Sequence, residues 1–424
     1  MLKNTALEND ASSTSPSKSP SIRSLAVLLA MLTAVAPFAV DMYLPAMKAM
    51  SVELSTPIHY IEMSVSTFLL GFAIGQLIGG PLSDRLGRKP IIALGLILFS
   101  ITSLMLTQTE SINQLLLLRA LQAIGGGMAT VNSSAMIRDL FTGDDMAKVL
   151  SMVAIVMMSA PLIAPMLGAF VVKFFDWQAI FLSLAIYSLC VMLLLLWRLP
   201  ESNPQSKRIS SASETLRPSL LQSYKQVLTH RQAMGYVMAI SFAFSGMFVF
   251  ITSSAFTYME YFSVSVEIFP FLFGANVLIM MMMNRINVWA LNHYSSKQIL
   301  NTGLMLQLSC GIALIISSYV HAPLFIIVPL NMLFVGSLGL IAANATAGTL
   351  NFFPNISGTA TAVIGVTEFT LGALMGLLWT YLHETQFALT GQHTLSPMAW
   401  VMTVCALIGL LGLKFLSRPK YSGR

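Results

Sequence analysis

The chain has 424 residues, 56 % of them apolar and only 9 % charged, with a net charge of +6 and a mean hydropathy of +0.76. Soluble chains are about a quarter charged, so this composition excludes a soluble single domain, a disordered chain and a disulfide-stapled secreted module. A spanning helix needs about 20 mostly apolar residues, and apolar residues here run almost end to end; an all-α polytopic membrane protein follows.

Residues 1–23 are polar and rich in Ser, Thr and Pro and are read as a disordered cytoplasmic tail. Apolar runs follow at about 24–47, 59–80, 90–108, 112–136, 147–172 and 177–198. The first is long, lies behind a polar tail and is interrupted by Asp41 and Pro45, so it is read as a retained helix rather than a secretory signal. A polar, basic stretch over 199–230 is read as a cytoplasmic linker. Six more runs lie at about 232–256, 266–292, 298–319, 322–346, 356–382 and 397–416. The expected organisation is an N-terminal six-helix half (24–198), the linker, a C-terminal six-helix half (231–416) and a cytoplasmic tail (417–424).

Basic residues sort to one side. Twenty of the 23 Lys and Arg fall on the tails, the linker and alternate loops; Lys48 and Lys173 fall on the other loops, and Arg119 lies inside a run. This positive-inside asymmetry puts both termini in the cytoplasm and requires an even helix count, which twelve satisfies. Two halves of six spans joined by a basic loop are the plan of a transporter with its site between the halves, in a central cavity. Cys190, Cys310 and Cys405 lie in apolar stretches with no CxxC or Cys/His cluster, arguing against disulfides and metal.

Between the second and third runs stands Gly80-Pro81-Leu82-Ser83-Asp84-Arg85-Leu86-Gly87-Arg88-Lys89-Pro90. Two glycines permit a tight turn with positive φ. Asp84 suits a helix N-terminus, and Arg85, Arg88 and Lys89 can pair with carboxylates on neighbouring helix ends. The segment resembles the hallmark loop of the major facilitator superfamily. That resemblance implies the family fold and a gating role for Gly80, Asp84, Arg85, Gly87, Arg88 and Lys89. A plain basic anchor is the alternative reading.

Three ionisable residues, Asp41, Arg119 and Glu368, read as membrane-embedded, where each costs about 2.5–3.5 kcal/mol on insertion scales. Asp41 lies between Pro37 and Pro45, which weaken the local helix. A carboxylate held away from water can load and release a proton near neutral pH. Asp41-Met42-Tyr43-Leu44-Pro45 resembles the first-helix motif of the Bcr/CflA group of drug:proton antiporters, which implies proton coupling at Asp41. Leu116-Leu117-Leu118-Arg119-Ala120-Leu121-Gln122 resembles the superfamily's fourth-helix arginine motif, with Ala123 in place of its glycine. The motif ties Arg119 to proton transfer, with Asp41 as partner directly or through water; a packing arginine bonded to helix 1 carbonyls is the alternative. Glu368 is covered by no such motif and is read as a second proton carrier or a contact for cationic substrates, or else as a structural acid.

Pro161, Pro165 and Gly168 resemble part of the fifth-helix antiporter motif, and small residues there let helices 5 and 8 approach. Ala169, Val171 and Val172 depart from the motif. Segments 131–141, 175–181, 254–262 and 273–276 resemble the same group. Phe38, Tyr43, Phe256 and Tyr258 are candidate cavity aromatics, with Gln122, Asn132 and Asn276 as polar contacts; some aromatics belong instead to an interfacial belt. The 28 methionines could re-pack around varied ligands, though a given Met is more often simply core. His321, His383 and His393 are read as interface residues at outer loop edges.

The expected function is a secondary exporter that exchanges protons for small amphipathic molecules, as in drug efflux. The alternative is a dedicated exporter of a siderophore or short peptide. A receptor or enzyme is the remote reading, since no His/Asp or Ser/His constellation and no Gly-x-x-x-x-Gly-Lys-[Ser/Thr] occur. Protons, a small substrate and the lipid bilayer are the expected partners, without cofactor, metal or nucleic acid. A monomer in the bacterial inner (cytoplasmic) membrane is expected from the resemblance.

Overall fold

A computed structural model describes residues 22–198 and 220–417. The stretches 1–21, 199–219 and 418–424, which carry most of the expected tails and linker, lie outside the described residues. Among the described residues every regular element is helical. Twelve helices are long and apolar enough to cross a membrane. They are α1 (Ser24–Glu53), α2 (Ile58–Leu86), α3 (Arg88–Leu106), α4 (Ile112–Leu140), α5 (Gly143–Phe174) and α6 (Gln178–Arg198), then α7 (Arg231–Tyr261), α8 (Phe269–Ala290), α9 (Ser296–Tyr319), α10 (Leu324–Leu350), α11 (Ser357–Thr390) and α12 (Ser396–Leu416).

Local chemistry sets several boundaries. Ser295 Oγ accepts the Gln298 N–H while Gln298 Oε1 accepts the Ser295 N–H, a reciprocal cap that starts α9. α11 runs eight residues past the apolar stretch that announces it and stops at Gly391, whose φ of +68° closes the last turn. α1 is not continuous: helix ends at Asp41, a short 3-10 turn covers Leu44–Ala46, and helix resumes over Met47–Glu53. Pro45 has no N–H to continue the ladder, which accounts for the break.

Packing repeats between the halves. α1 packs on α5, α2 on α4, and α3 on α4 and α6; correspondingly α7 packs on α11, α8 on α10, and α9 on α10 and α12. The halves meet where α2 lies against α11 and α7, and where α5 lies against α8. A short helix, Leu220–Thr229, tucks Val227 into the core of the second half and packs on α11 and α7.

Candidate functional site

The break in α1 presents Asp41 at the end of its first helical segment, 4 % exposed, with Oδ1 lacking any hydrogen-bond partner. Gly168 of α5 holds this segment in place, because a Cβ there would collide with the carbonyl oxygen of Met42. The close approach permitted by Gly168 is thus to α1, beside Asp41, rather than to α8. Leu162 of α5 lies against Gly274 of α8. Pro165 is buried and Pro161 half-buried within α5.

Arg119 is fully buried in α4 and reaches across to the same segment. Its Nη2 donates to the Ala39 carbonyl at 3.0 Å and its Nη1 to Gln122 Oε1 at 2.6 Å. Its guanidinium lies 4.3 Å from the Tyr43 ring centroid and 4.4 Å from that of Phe68. Desolvated cation–π contacts of this kind contribute about 2 kcal/mol each. Gln122 in turn donates to Ser103 Oγ at 2.7 Å, and Tyr43 shares a 2.8 Å hydrogen bond with Ser64. Arg119 therefore grips the chain two residues before Asp41 and two residues after it. No ion pair joins Arg119 to Asp41 among the described residues; of the two expected partnerships, direct or through water, the direct one is absent there, and Arg119 makes backbone and aromatic contacts. The bond to Ala39 is the carbonyl contact that the packing alternative foresaw.

The second half carries a neutral counterpart. Asn331 sits seven residues into α10, as Arg119 sits seven residues into α4. Tyr258 of α7, Asn276 of α8 and Asn331 lie buried together, with the Tyr258 hydroxyl in hydrogen-bonding reach of both amides. Asn276 Nδ2 donates to the Leu272 and Phe273 carbonyls. Glu368 of α11 is half-buried and forms no ion pair among the described residues. Its neighbour Phe369 packs on Phe72 at 4.7 Å and on Phe248 at 5.6 Å between ring centroids, bridging the halves.

Other expected cavity residues are placed differently from one another. Phe38 is half-buried against Tyr187, 5.6 Å between centroids. Asn132 is fully buried and joins the 2–3 loop, taking a 3.5 Å hydrogen bond from Arg88. Arg88 pairs with Asp84 at 2.8 Å and Asp139 at 3.4 Å, and donates to Ser83 Oγ at 2.7 Å, tying α2, α3 and α4 together. Gly87 adopts φ +103°, whereas Gly80 lies inside α2 with open space where a Cβ would go, so one glycine rather than two makes the turn. Arg85 is exposed and Lys89 half-buried beside it. Across the loop, Tyr224 of the short helix sits close to Asp84; burial first, and then that carboxylate, push its phenol up from the usual value.

Sequence reasoning passed over two residues. Glu62 of α2 is 0 % exposed, and its Oε1 accepts the Phe256 N–H of α7 at 2.6 Å. His383, expected at an outer loop edge, is 1 % exposed because α11 continues past it; its Nε2 lies 3.1 Å from His393 Nδ1 in a hydrogen bond. Glu62 and His59 form a polar stripe with Ser66 on one face of α2, a signal available in the sequence at three- and four-residue spacing. Among the described residues no group of three or more His, Cys, Asp or Glu is arranged to hold a metal.

Twelve spans in two repeating halves, with ionisable groups turned inward, define an integral membrane carrier. The model of the Major Facilitator Superfamily matches residues 29–377. A bicyclomycin resistance protein homolog of Haemophilus influenzae is 33 % identical over 396 residues, covering 93 % of this chain and 96 % of that one. A chloramphenicol resistance protein of Pseudomonas aeruginosa is 29 % identical over 95 % of this chain and 92 % of its own length. Multidrug resistance protein MdtL of Escherichia coli O157:H7 is 26 % identical over 90 % and 92 %. A crystal structure of a D-xylose-proton symporter superposes with a TM-score of 0.75 at 16 % identity, covering 95 % of this chain and 99 % of that one, and so shares the fold. The chain belongs to the Major Facilitator Superfamily and is a multi-pass membrane transporter.

Proposed function

We propose that the chain exports small amphipathic molecules in exchange for protons by alternating access, with both termini on the cytoplasmic side of a bacterial inner membrane. The observation that carries this reading is Asp41: a buried carboxylate, one oxygen unpartnered, at a break in α1 that Arg119 brackets. Relatives named for bicyclomycin, chloramphenicol and multidrug resistance support export of antibiotics and similar compounds. The basic ends of α2, α4, α6 and α12 (Arg85, Arg138, Arg198, Lys414) support the orientation.

In this reading Asp41 carries the proton. The fixed positive charge of Arg119 sets its surroundings, and the loose hydrogen bonding at the break lets water reach it in one conformation. Glu368, next in the chain to Phe369, whose ring packs on Phe72 and Phe248, receives the cationic end of a substrate. Each proton entering down about 100 mV contributes about 2.3 kcal/mol, enough for about a 50-fold substrate gradient. Arg88, paired to Asp84 and Asp139, holds the cytoplasmic ends of α2, α3 and α4 in one arrangement. The test is proton flux in liposomes holding the purified protein, with a pH gradient imposed and ethidium, a chloramphenicol-like or a siderophore-like compound added. Substrate-triggered proton movement is expected with the first two. Movement with the siderophore-like compound alone would favour a dedicated exporter, and no movement with any compound would sink the proposal.

A further inference from the structure

Where α2 meets α7 and α11, the halves close on a polar seam at the end of the bundle that carries the 54–57 turn. His59, Glu62 and Ser66 recur on one face of α2. The His59 and His383 rings lie 5.4 Å apart, and the Phe256 ring is 4.5 Å from that of His383. Ser66 Oγ and Thr252 Oγ1 converge on Gly376, where a side chain would strike both. His59 Nε2, Glu62 Oε2, Ser66 Oγ, Thr252 Oγ1 and His383 Nδ1 are all buried without hydrogen-bond partners. A buried polar atom left unpaired costs about 1–3 kcal/mol. A seam lined with such atoms is a surface made for water, closed at a cost, and so poised to part.

Glu62 is the one carboxylate at the centre of this seam. Its partners are backbone groups of α7, the Phe256 N–H and Ala255, and no Lys or Arg forms an ion pair with it among the described residues. The groups facing it are few, and Tyr43 of α1, itself stacked on Arg119, is within electrostatic reach. His59 and Tyr60 share its helix, and Tyr60 is hydrogen-bonded to Glu384. Glu260 on α7 is within electrostatic reach. Lys48 of α1 donates to the Met259 carbonyl at 3.2 Å. His383 and Glu384 belong to α11, and His393 to the loop before α12. Burying an ionised carboxylate without a cation is far costlier than burying the neutral acid.

We infer that Glu62 is a proton-operated gate: with the seam open its carboxylate is ionised in water, and it takes a proton from that water as the seam closes on it. On reopening the proton returns to the same side. It never crosses, so the gate adds a pH requirement without changing the exchange ratio set at Asp41. This inference rests on the alternating-access reading. The histidines oppose it in sign, since protonated His59 and His383 resist burial. Closure therefore weakens at low pH through the histidines and at high pH through Glu62, and the alkaline limb stands clear above the ordinary histidine range, about pH 7.

The experiment is hydrogen–deuterium exchange of the purified full chain between about pH 5.5 and 9, corrected for intrinsic exchange and read over 58–66 and 376–384. Wild-type protection is expected to fall above about pH 7. Glu62→Gln keeps an acceptor for the Phe256 N–H but cannot titrate, and its protection is expected to stay level there while the acid-side loss remains. Glu62→Asp is expected to restore the alkaline fall. An equal alkaline fall in Glu62→Gln, or none in wild type, overturns the gate. If Glu62→Gln does not fold, the double variant His59→Asn/His383→Asn decides: an alkaline fall that persists supports Glu62, and one that vanishes overturns it. Failure here leaves substrate-triggered proton flux in wild type intact, whereas loss of that flux strikes the reading beneath.

Discussion

The two halves repeat a packing plan and differ in charge at its centre. In the first half, Tyr43 of the broken α1 lies on Arg119 of α4, a cation held by two rings, a carbonyl and an amide. In the second, the hydroxyl of Tyr258 of α7 meets Asn331 of α10 and Asn276 of α8, and every side chain is neutral. A buried cation with five donors calls for partners on several sides, and the first half brings two acceptors and two rings to it beside Asp41. On the proposed reading, this difference gives proton handling to the first half and leaves the second, with Glu368 on α11, free to meet substrate.

The sharpest break in that comparison is Asp41→Asn. Proton-driven export in liposomes is expected to fall by about 100-fold or more, the scale of losing a positioned proton carrier, while the protein still folds and binds substrate. Next comes the central pair. Arg119→Ala removes two cation–π contacts and strands the Gln122 and Ala39 acceptors, for a loss of about 3 kcal/mol in thermal unfolding. Asn331→Ala removes one neutral partner of the Tyr258 hydroxyl and is expected to cost about 1 kcal/mol, with the proton-to-substrate ratio unchanged. Equal losses at the two positions would erase the distinction between the halves.

A third comparison tests how each half holds its first helix. Gly168 of α5 meets the rigid backbone carbonyl of Met42, whereas Gly372 of α11 meets the movable ring of Phe248. Gly168→Ala is therefore expected to destabilise by about 2 kcal/mol and to lower transport, and Gly372→Ala by about 1 kcal/mol or less; detergent unfolding curves measure both. The smallest effect belongs to the loop. Arg88→Gln breaks partly exposed pairs to Asp84 and Asp139 and is expected to cost about 1 kcal/mol. Its larger signature is a several-fold change in turnover in the liposome assay.

Hydropathy and the sorting of basic residues made the twelve helices legible, because a bilayer demands long apolar runs and a sided charge pattern. Asp41 and Arg119 stood out as charges inside such runs. What the sequence could not reveal was set by packing between distant helices. Glu62 lies near the start of its run and passes for an edge residue until α7 and α11 close over it. His383 lies just beyond its apolar run, yet the helix continues to Gly391 and carries it inward. Asn132 looks like a cavity amide on a helix wheel, but the 2–3 loop folds Arg88 onto it. Gly168 was legible as a close-packing residue, but its partner, the Met42 carbonyl beside Asp41, came only from the broken course of α1.

The most direct test of the division between halves is the number of protons released when a cationic substrate such as ethidium binds the purified protein in weakly buffered detergent. Wild type is expected to release protons on binding, Asp41→Asn to bind and release none, and Glu368→Gln to bind ethidium more weakly but release the same number per molecule bound. Proton release that survives in Asp41→Asn and disappears in Glu368→Gln would contradict the account and move proton handling to the second half.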